Sequence, residues 1–129
     1  MANFQVPIKM AQSESQIQQS ICGLLGILGL PFSVTDASRS FGHDGRPRRS
    51  KVVKGWPDVS CVLPDGRAGF IEVKSKTGRI RPEQAATIER LRNAGAFVLV
   101  ARSLDDVIFA LRVWLPECSD AARKLRGLH

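Results

Sequence analysis

This 129-residue sequence predicts an α/β fold: a mixed β-sheet flanked by α-helices, in the order α-β-β-β-α-β-α. Three observations carry that reading. Apolar residues recur at helical spacing through Ile17, Ile21, Leu24, Leu25 and Leu28. Two strand-like segments, 59–63 and 68–73, flank the turn Pro64-Asp65-Gly66-Arg67 and read as a hairpin. Phe97-Val98-Leu99-Val100-Ala101 is a nearly unbroken apolar run, as expected of a strand covered on both faces.

Residues 1–12 read as an N-terminal arm, and 13–129 as one domain. Ser13, with Gln16 three residues on, forms a capping box for the first helix, which Gly29 and Pro31 end. Phe32 to Thr35 suits a short strand. From Ala37 to Lys54 the chain is polar and loop-like, broken by Gly42, Gly45 and Pro47. After the hairpin, Ser75 to Arg81 is a short loop, and Pro82 stands in the first-turn position that proline favours. That second helix runs to about Asn93, and Gly95 stops it. Ser103 with Asp106 caps a third helix whose inner face uses Leu104, Val107, Ile108, Leu111 and Leu115. Ser119 to Arg126 suits a short basic helix.

Lys plus Arg number 19 against 12 Asp plus Glu, a formal charge of +7. A small domain this basic points to a polyanionic partner, with nucleic acid foremost. Much of the excess is clustered, because 37–54 holds Arg39, Arg46, Arg48, Arg49, Lys51 and Lys54 against the single acid Asp44. Lys76, Arg79 and Arg81 add a second basic stretch. The cysteines Cys22, Cys61 and Cys118 are odd in number, widely spaced and without a C-x-x-C pair, which argues against a disulfide framework or structural zinc. Cys22 and Cys61 are expected as buried small hydrophobes, and a reducing cytoplasm fits. The most apolar stretch, 21–32, is too short to span a bilayer, so no membrane partner is expected.

The chemistry lies in Gly55-Trp56-Pro57-Asp58 and, fourteen residues after Asp58, Ile71-Glu72-Val73-Lys74. Side chains alternate along a strand, so Glu72 and Lys74 point the same way. With Asp58 at the start of the neighbouring strand, two acids and an amine converge on a site for a hard divalent cation, such as Mg²⁺. Asp58 and Glu72 are the expected metal ligands, and the Val73 carbonyl is a third oxygen. Lys74 is placed to orient water and to stabilise charge growing on a phosphate. Glu14 lies three, seven and eleven residues before Ile17, Ile21 and Leu25, and is expected to face inward as a further metal-site residue. Gln84, four and seven residues before Ile88 and Leu91, is also expected to face inward.

Glu14 with Gln16 and Ile17, Gly55-Trp56-Pro57-Asp58, Phe70-Ile71-Glu72-Val73-Lys74, Gly78-Arg79-Ile80, Gln84 and Gly95 together resemble a VRR-NUC domain of the PD-(D/E)xK nuclease superfamily. The resemblance covers roughly 13–115. It implies a restriction-endonuclease-like core that cleaves DNA with Mg²⁺ or Mn²⁺. Asp58 and Glu72 are then metal ligands, Lys74 is catalytic, Glu14 lies near the metal and Gln84 supports the site. The smallest members of this family resemble homodimeric cutters of branched DNA such as Holliday junctions. Arg46, Arg48, Arg49, Lys51, Lys54, Lys76, Arg79 and Arg81 are the candidate phosphate contacts. Neither a recognition helix nor an aromatic stacking platform is evident, which favours structure-selective over sequence-specific cutting. The alternatives are a DNA-binding module that kept the fold and lost the chemistry, and a nuclease for flaps or RNA.

Overall fold

The computed structural model of the protein describes residues 11–35, 43–46 and 52–128. All but the last two residues of the expected N-terminal arm lie outside these, as do Arg48, Arg49 and Lys51.

The elements run α1 (Glu14–Ile27), β1 (Phe32–Val34), β2 (Val59–Val62), β3 (Ala68–Val73), α2 (Pro82–Asn93), β4 (Phe97–Ala101), α3 (Leu104–Trp114) and α4 (Asp120–Arg126). Ser13 caps α1 through the expected box. Its hydroxyl accepts from the Gln16 N–H at 3.2 Å, and Gln16 Oε1 accepts from the Ser13 N–H at 2.9 Å. Gly29, at φ 71°, lets the chain leave the helix in the left-handed conformation that side chains resist. Ser103 and Ser119 cap α3 and α4 in the same way, each accepting from the third residue on.

One four-stranded sheet has the order β1-β2-β3-β4. The first two pairings are antiparallel and β3 runs parallel to β4, so α2 supplies the crossover that parallel neighbours require. Helices cover both faces. On one face, Ile71 and Val73 of β3 join Ile17, Ile21 and Leu25 of α1, Val107 and Leu111 of α3, and Leu125 of α4 in the main core. On the other, Phe70 packs with Ile88 of α2 and Val98 of β4. Strand alternation sends the odd-numbered residues of β3 into the main core. Phe70, Glu72 and, just past the strand, Lys74 therefore face α2.

Cys61 is a buried member of the main core, and burial pushes its thiol up to about 11, as befits an inert apolar filler. Cys22 is half-buried rather than buried, because it lies beside the inner stripe of α1 and not on it. All three cysteines are free thiols.

Leu111 is fully buried between α3 and the main core. Leu111→Ala is expected to cost about 2–5 kcal/mol of stability, read from urea unfolding. An exposed-position change on the same helix should cost under about 0.5 kcal/mol.

Candidate active site

Asp58 stands one residue before β2. Val59 pairs with Ile71, so the antiparallel register sets Asp58 across from Glu72, on the sheet face turned to α2. Three local features hold Asp58 there. Buried Pro57 fixes its own backbone φ. The Thr35 hydroxyl donates to the Pro57 carbonyl at 2.7 Å, and the Thr35 N–H donates to the Asp58 carbonyl at 2.8 Å. The Asp58 carboxylate itself accepts from the Val73 N–H at 2.7 Å, in place of a ladder partner. Backbone N–H and C=O of one strand residue point to the same edge, so the Val73 carbonyl is also directed to the Asp58 side.

Gly55 brings α2 onto this corner. Its φ is 83°, and a Cβ there would stand 2.5 Å from the Glu83 carbonyl oxygen, so only glycine admits the contact. Thr87 ties the same turn down, its hydroxyl donating to Glu83 O at 3.0 Å and reaching Lys54 O at 3.4 Å. Trp56 packs edge-on against Phe70 with ring centroids 5.4 Å apart.

Glu72 is 2% exposed, although it is a carboxylate. Gln84 Nε2 donates to its Oε1 at 3.1 Å, and Lys74 Nζ lies 3.9 Å from the same oxygen. Gln84 Oε1 meanwhile accepts from the Arg81 N–H at 2.9 Å. That second bond settles the amide's orientation, because it leaves only the NH₂ group to face Glu72. The other Glu72 oxygen, Oε2, has no hydrogen-bond partner, and no other buried side-chain polar atom among the described residues shares that condition.

The Glu72 carboxyl is pushed up to about 8, first by burial and then by the Asp58 carboxylate beside it. Lys74 opposes the shift and Glu14 adds to it slightly. Two acids close enough to repel one another, one oxygen of them orphaned, match the donor chemistry of a hard divalent cation. Among the described residues no three His, Cys, Asp or Glu side chains form a ready-made cage. Mg²⁺ does not require one, since it typically uses one or two carboxylates, several waters and substrate phosphate.

These groups line a cleft of about 470 Å³ together with Glu14, Thr35, Lys54, Trp56 and Arg81. Glu14 is where expectation and structure part. It is exposed at the rim rather than turned into the core, because the first turn of α1 extends past the apolar contacts made by Ile17 and Ile21. Its Oε1 accepts from the Ser75 N–H at 3.3 Å. Of the basic candidates, Lys54 and Arg81 stand on the cleft, while Lys76 and Arg79 are exposed on the adjoining loop. Arg46 is exposed on a turn closed by its own N–H to Asp44 Oδ1 at 3.0 Å.

A sequence model of the VRR-NUC domain matches residues 37–105, just over half of the chain and the stretch that holds Asp58, Glu72, Lys74 and Gln84. The protein belongs to the VRR-NUC family. Two solved VRR-NUC structures are similar to it in fold. One is 26% identical, with a TM-score of 0.55, over 78% of this chain and 95% of its own. The other is 21% identical, with a TM-score of 0.52, over 80% of this chain and 88% of its own, and speaks for the shared fold alone. No curated protein matches the chain. VRR-NUC membership makes this a nuclease-family fold, and among the described residues no helix is long and apolar enough to cross a membrane. Glu14 lies outside the matched stretch.

Arg102 is a supporting residue that the sequence did not flag. Its Nη1 donates to the carbonyls of Ser75 and Gly78, both at 2.7 Å, and reaches that of Lys76 at 3.4 Å. One guanidinium therefore shapes the loop that carries Lys76, Arg79 and Arg81 and presents the Ser75 N–H to Glu14. Nothing local marks Arg102 in the sequence, since its partners are backbone atoms more than twenty residues away. Arg102→Ala is expected to speed tryptic cutting after Lys76 and Arg79 in the native protein. An unchanged digestion pattern would show that the loop holds its shape without it.

The raised Glu72 carboxyl sets a pH dependence of stability. Between its ordinary value of 4.5 and about 8, the folded state holds a proton that the unfolded state has released. Fewer protons bound on unfolding make the slope of stability with pH negative. Metal-free protein is therefore expected to melt at progressively lower temperature as pH rises through that window. Glu72→Gln should flatten the dependence, and identical slopes for the two proteins would contradict the assignment.

Proposed function

We propose that this protein is a metal-dependent endonuclease that hydrolyses phosphodiester bonds in DNA, selecting branched structures such as Holliday junctions, and that it works as a homodimer. The observation that carries the reading is the cleft in which Asp58 and the orphaned oxygen of Glu72 meet beside Lys74. Asp58, Glu72 and the Val73 carbonyl would hold Mg²⁺ or Mn²⁺, with Glu14 at the rim as a further oxygen donor. When bound, such an ion polarises a phosphate oxygen, lowers the pKa of water and neutralises charge building in the transition state.

The chain's own groups supply the rest. Gln84, fixed by the Arg81 N–H, pins one Glu72 oxygen and leaves the other pointing to the ion site. Lys74 is 6% exposed and sits in the cleft, where its ammonium orients the attacking water and stabilises a developing oxyanion. Lys54 and Arg81 line the same cleft and, with Lys76 and Arg79 beside it, offer contacts to DNA phosphates. Such contacts position a strand without reading bases, which suits selection by shape. Arg46, Arg48, Arg49 and Lys51 extend the set of candidates. A two-fold junction suits a two-fold protein, because a domain this small offers little surface to grip four arms alone.

Asp58→Ala and Glu72→Ala are each expected to abolish cleavage while leaving the fold intact. Lys74→Ala should slow cleavage by about a hundred- to ten-thousand-fold. The measurement is a panel of labelled four-way junction, flap, linear duplex, single strand and RNA, with and without Mg²⁺. Cutting at the parental rate by either carboxylate variant would end the proposal. Binding across the panel with no Mg²⁺-dependent product would favour the non-catalytic module.

A further inference from the structure

Helix α3 buries Val107 and Leu111 against the main core. Its opposite face is exposed. Phe109 is 72% exposed and Val113 75% exposed, more than any other large hydrophobic residue described. Four positions apart, they form one apolar step on the helix surface. Asp105 precedes Phe109 by one turn and Arg112 follows it by about one turn, on the same side of the helix. Both are exposed, and neither has an ion pair or hydrogen bond among the described residues, whereas neighbouring Asp106 is engaged by the Arg102 N–H.

We propose that this face is a self-association surface, on which a second copy of the chain lays its own α3 antiparallel, about a two-fold axis near Phe109. The charge pattern names the occupant. In a two-fold pairing centred there, a residue a given distance before the axis meets one the same distance after it on the partner helix. Asp105 then meets Arg112 of the other copy, and the reverse pair forms by symmetry. The two Phe109 rings meet across the axis, and each Val113 covers the flank. An unlike partner would not need acid and base placed about one turn to either side of one aromatic residue.

The surface is small. Eleven residues give α3 a length of about 16 Å. A single helix pair stands at the lower end of specific interfaces, below about 1,200 Å² in total. The formal charge of +7 on each copy opposes association further. The dimer is therefore a concentration-dependent one. The inference deepens the homodimer in the proposed function by naming its surface, and its test needs neither metal nor DNA.

Analytical ultracentrifugation of the full chain, from micromolar to submillimolar concentration, is expected to show a monomer–dimer equilibrium. Phe109→Glu should raise the dissociation constant by at least about tenfold. Asp105→Arg should also weaken the dimer, and adding Arg112→Asp should restore it, an outcome that lost packing would not give. Phe109→Cys in a Cys118→Ser background is expected to form a disulfide-linked dimer on mild oxidation. A parent protein that is monomeric throughout, or a dimer indifferent to Phe109→Glu, would overturn the inference. Asp58→Ala is expected to dimerise as the parent does, so an inactive parent dimer would count against the nuclease reading alone, and an active parent monomer against the homodimer and this surface but not against the nuclease reading.

Discussion

Glu72 is a carboxylate shut away from water beside a second carboxylate, with one of its oxygens left without a partner. Such an arrangement is unfavourable by itself, since burial and like charge act in the same direction. Lys74 relieves only part of it from 3.9 Å. The metal-free site therefore resolves the conflict with a proton, and a divalent cation would resolve it with two positive charges in the proton's place. Proton and metal compete for the same oxygens, which ties ion affinity to pH. The rest of the molecule is organised around keeping these two carboxyl groups together.

That organisation is layered. The β2–β3 register sets Asp58 opposite Glu72, and the parallel β3–β4 pairing fixes the far side of β3. The α2 crossover then lies over the face that carries Glu72, where Gln84 on its first turn bonds the carboxylate. The close approach at Gly55 sets how far α2 can descend, and Thr87 holds the turn against it. On the opposite side, α1, α3 and α4 bury the odd-numbered residues of β3 in the larger core. The apolar packing thus anchors the strand from behind, so that its polar residues can be presented in front without collapse of the cleft. Electrostatic strain of this kind persists only where the surrounding structure over-determines it.

The fold was legible because its signals are local. The helical stripe through Ile17, Ile21 and Leu25, the Pro64–Arg67 turn, the serine caps and Pro82 each act within a few residues, and each marks an element that forms. The pairing of Asp58 with Glu72 was legible for the same reason, since a hairpin turns sequence spacing directly into cross-strand distance. Gln84 was readable from periodicity, yet the bond that orients its amide was not, because it depends on where the Arg81 backbone falls. Glu14 shows the limit of that method. A spacing of three, seven and eleven puts a residue on a helix stripe, but it cannot tell whether the core extends as far as the first turn. Thr35 and Arg102 left no mark because their partners are backbone carbonyls brought near only by the tertiary fold.

The two surfaces with unfinished business lie on opposite sides of the sheet. Glu72 and Lys74 look toward α2, while α3 packs on the face filled by Ile71 and Val73 and turns Phe109 outward beyond it. A copy docked on α3 would therefore leave the cleft and its basic rim open. It would also double the positive charge offered to a polyanion, with each basic rim carried in a fixed relation to the other. Selection by shape needs that fixed relation more than it needs any single contact, because phosphates look alike along every arm of a branched duplex and only their mutual placement distinguishes one structure from another. A small helix contact of this kind would do what base recognition does in a sequence-specific enzyme: it would decide which phosphates can be reached at the same time.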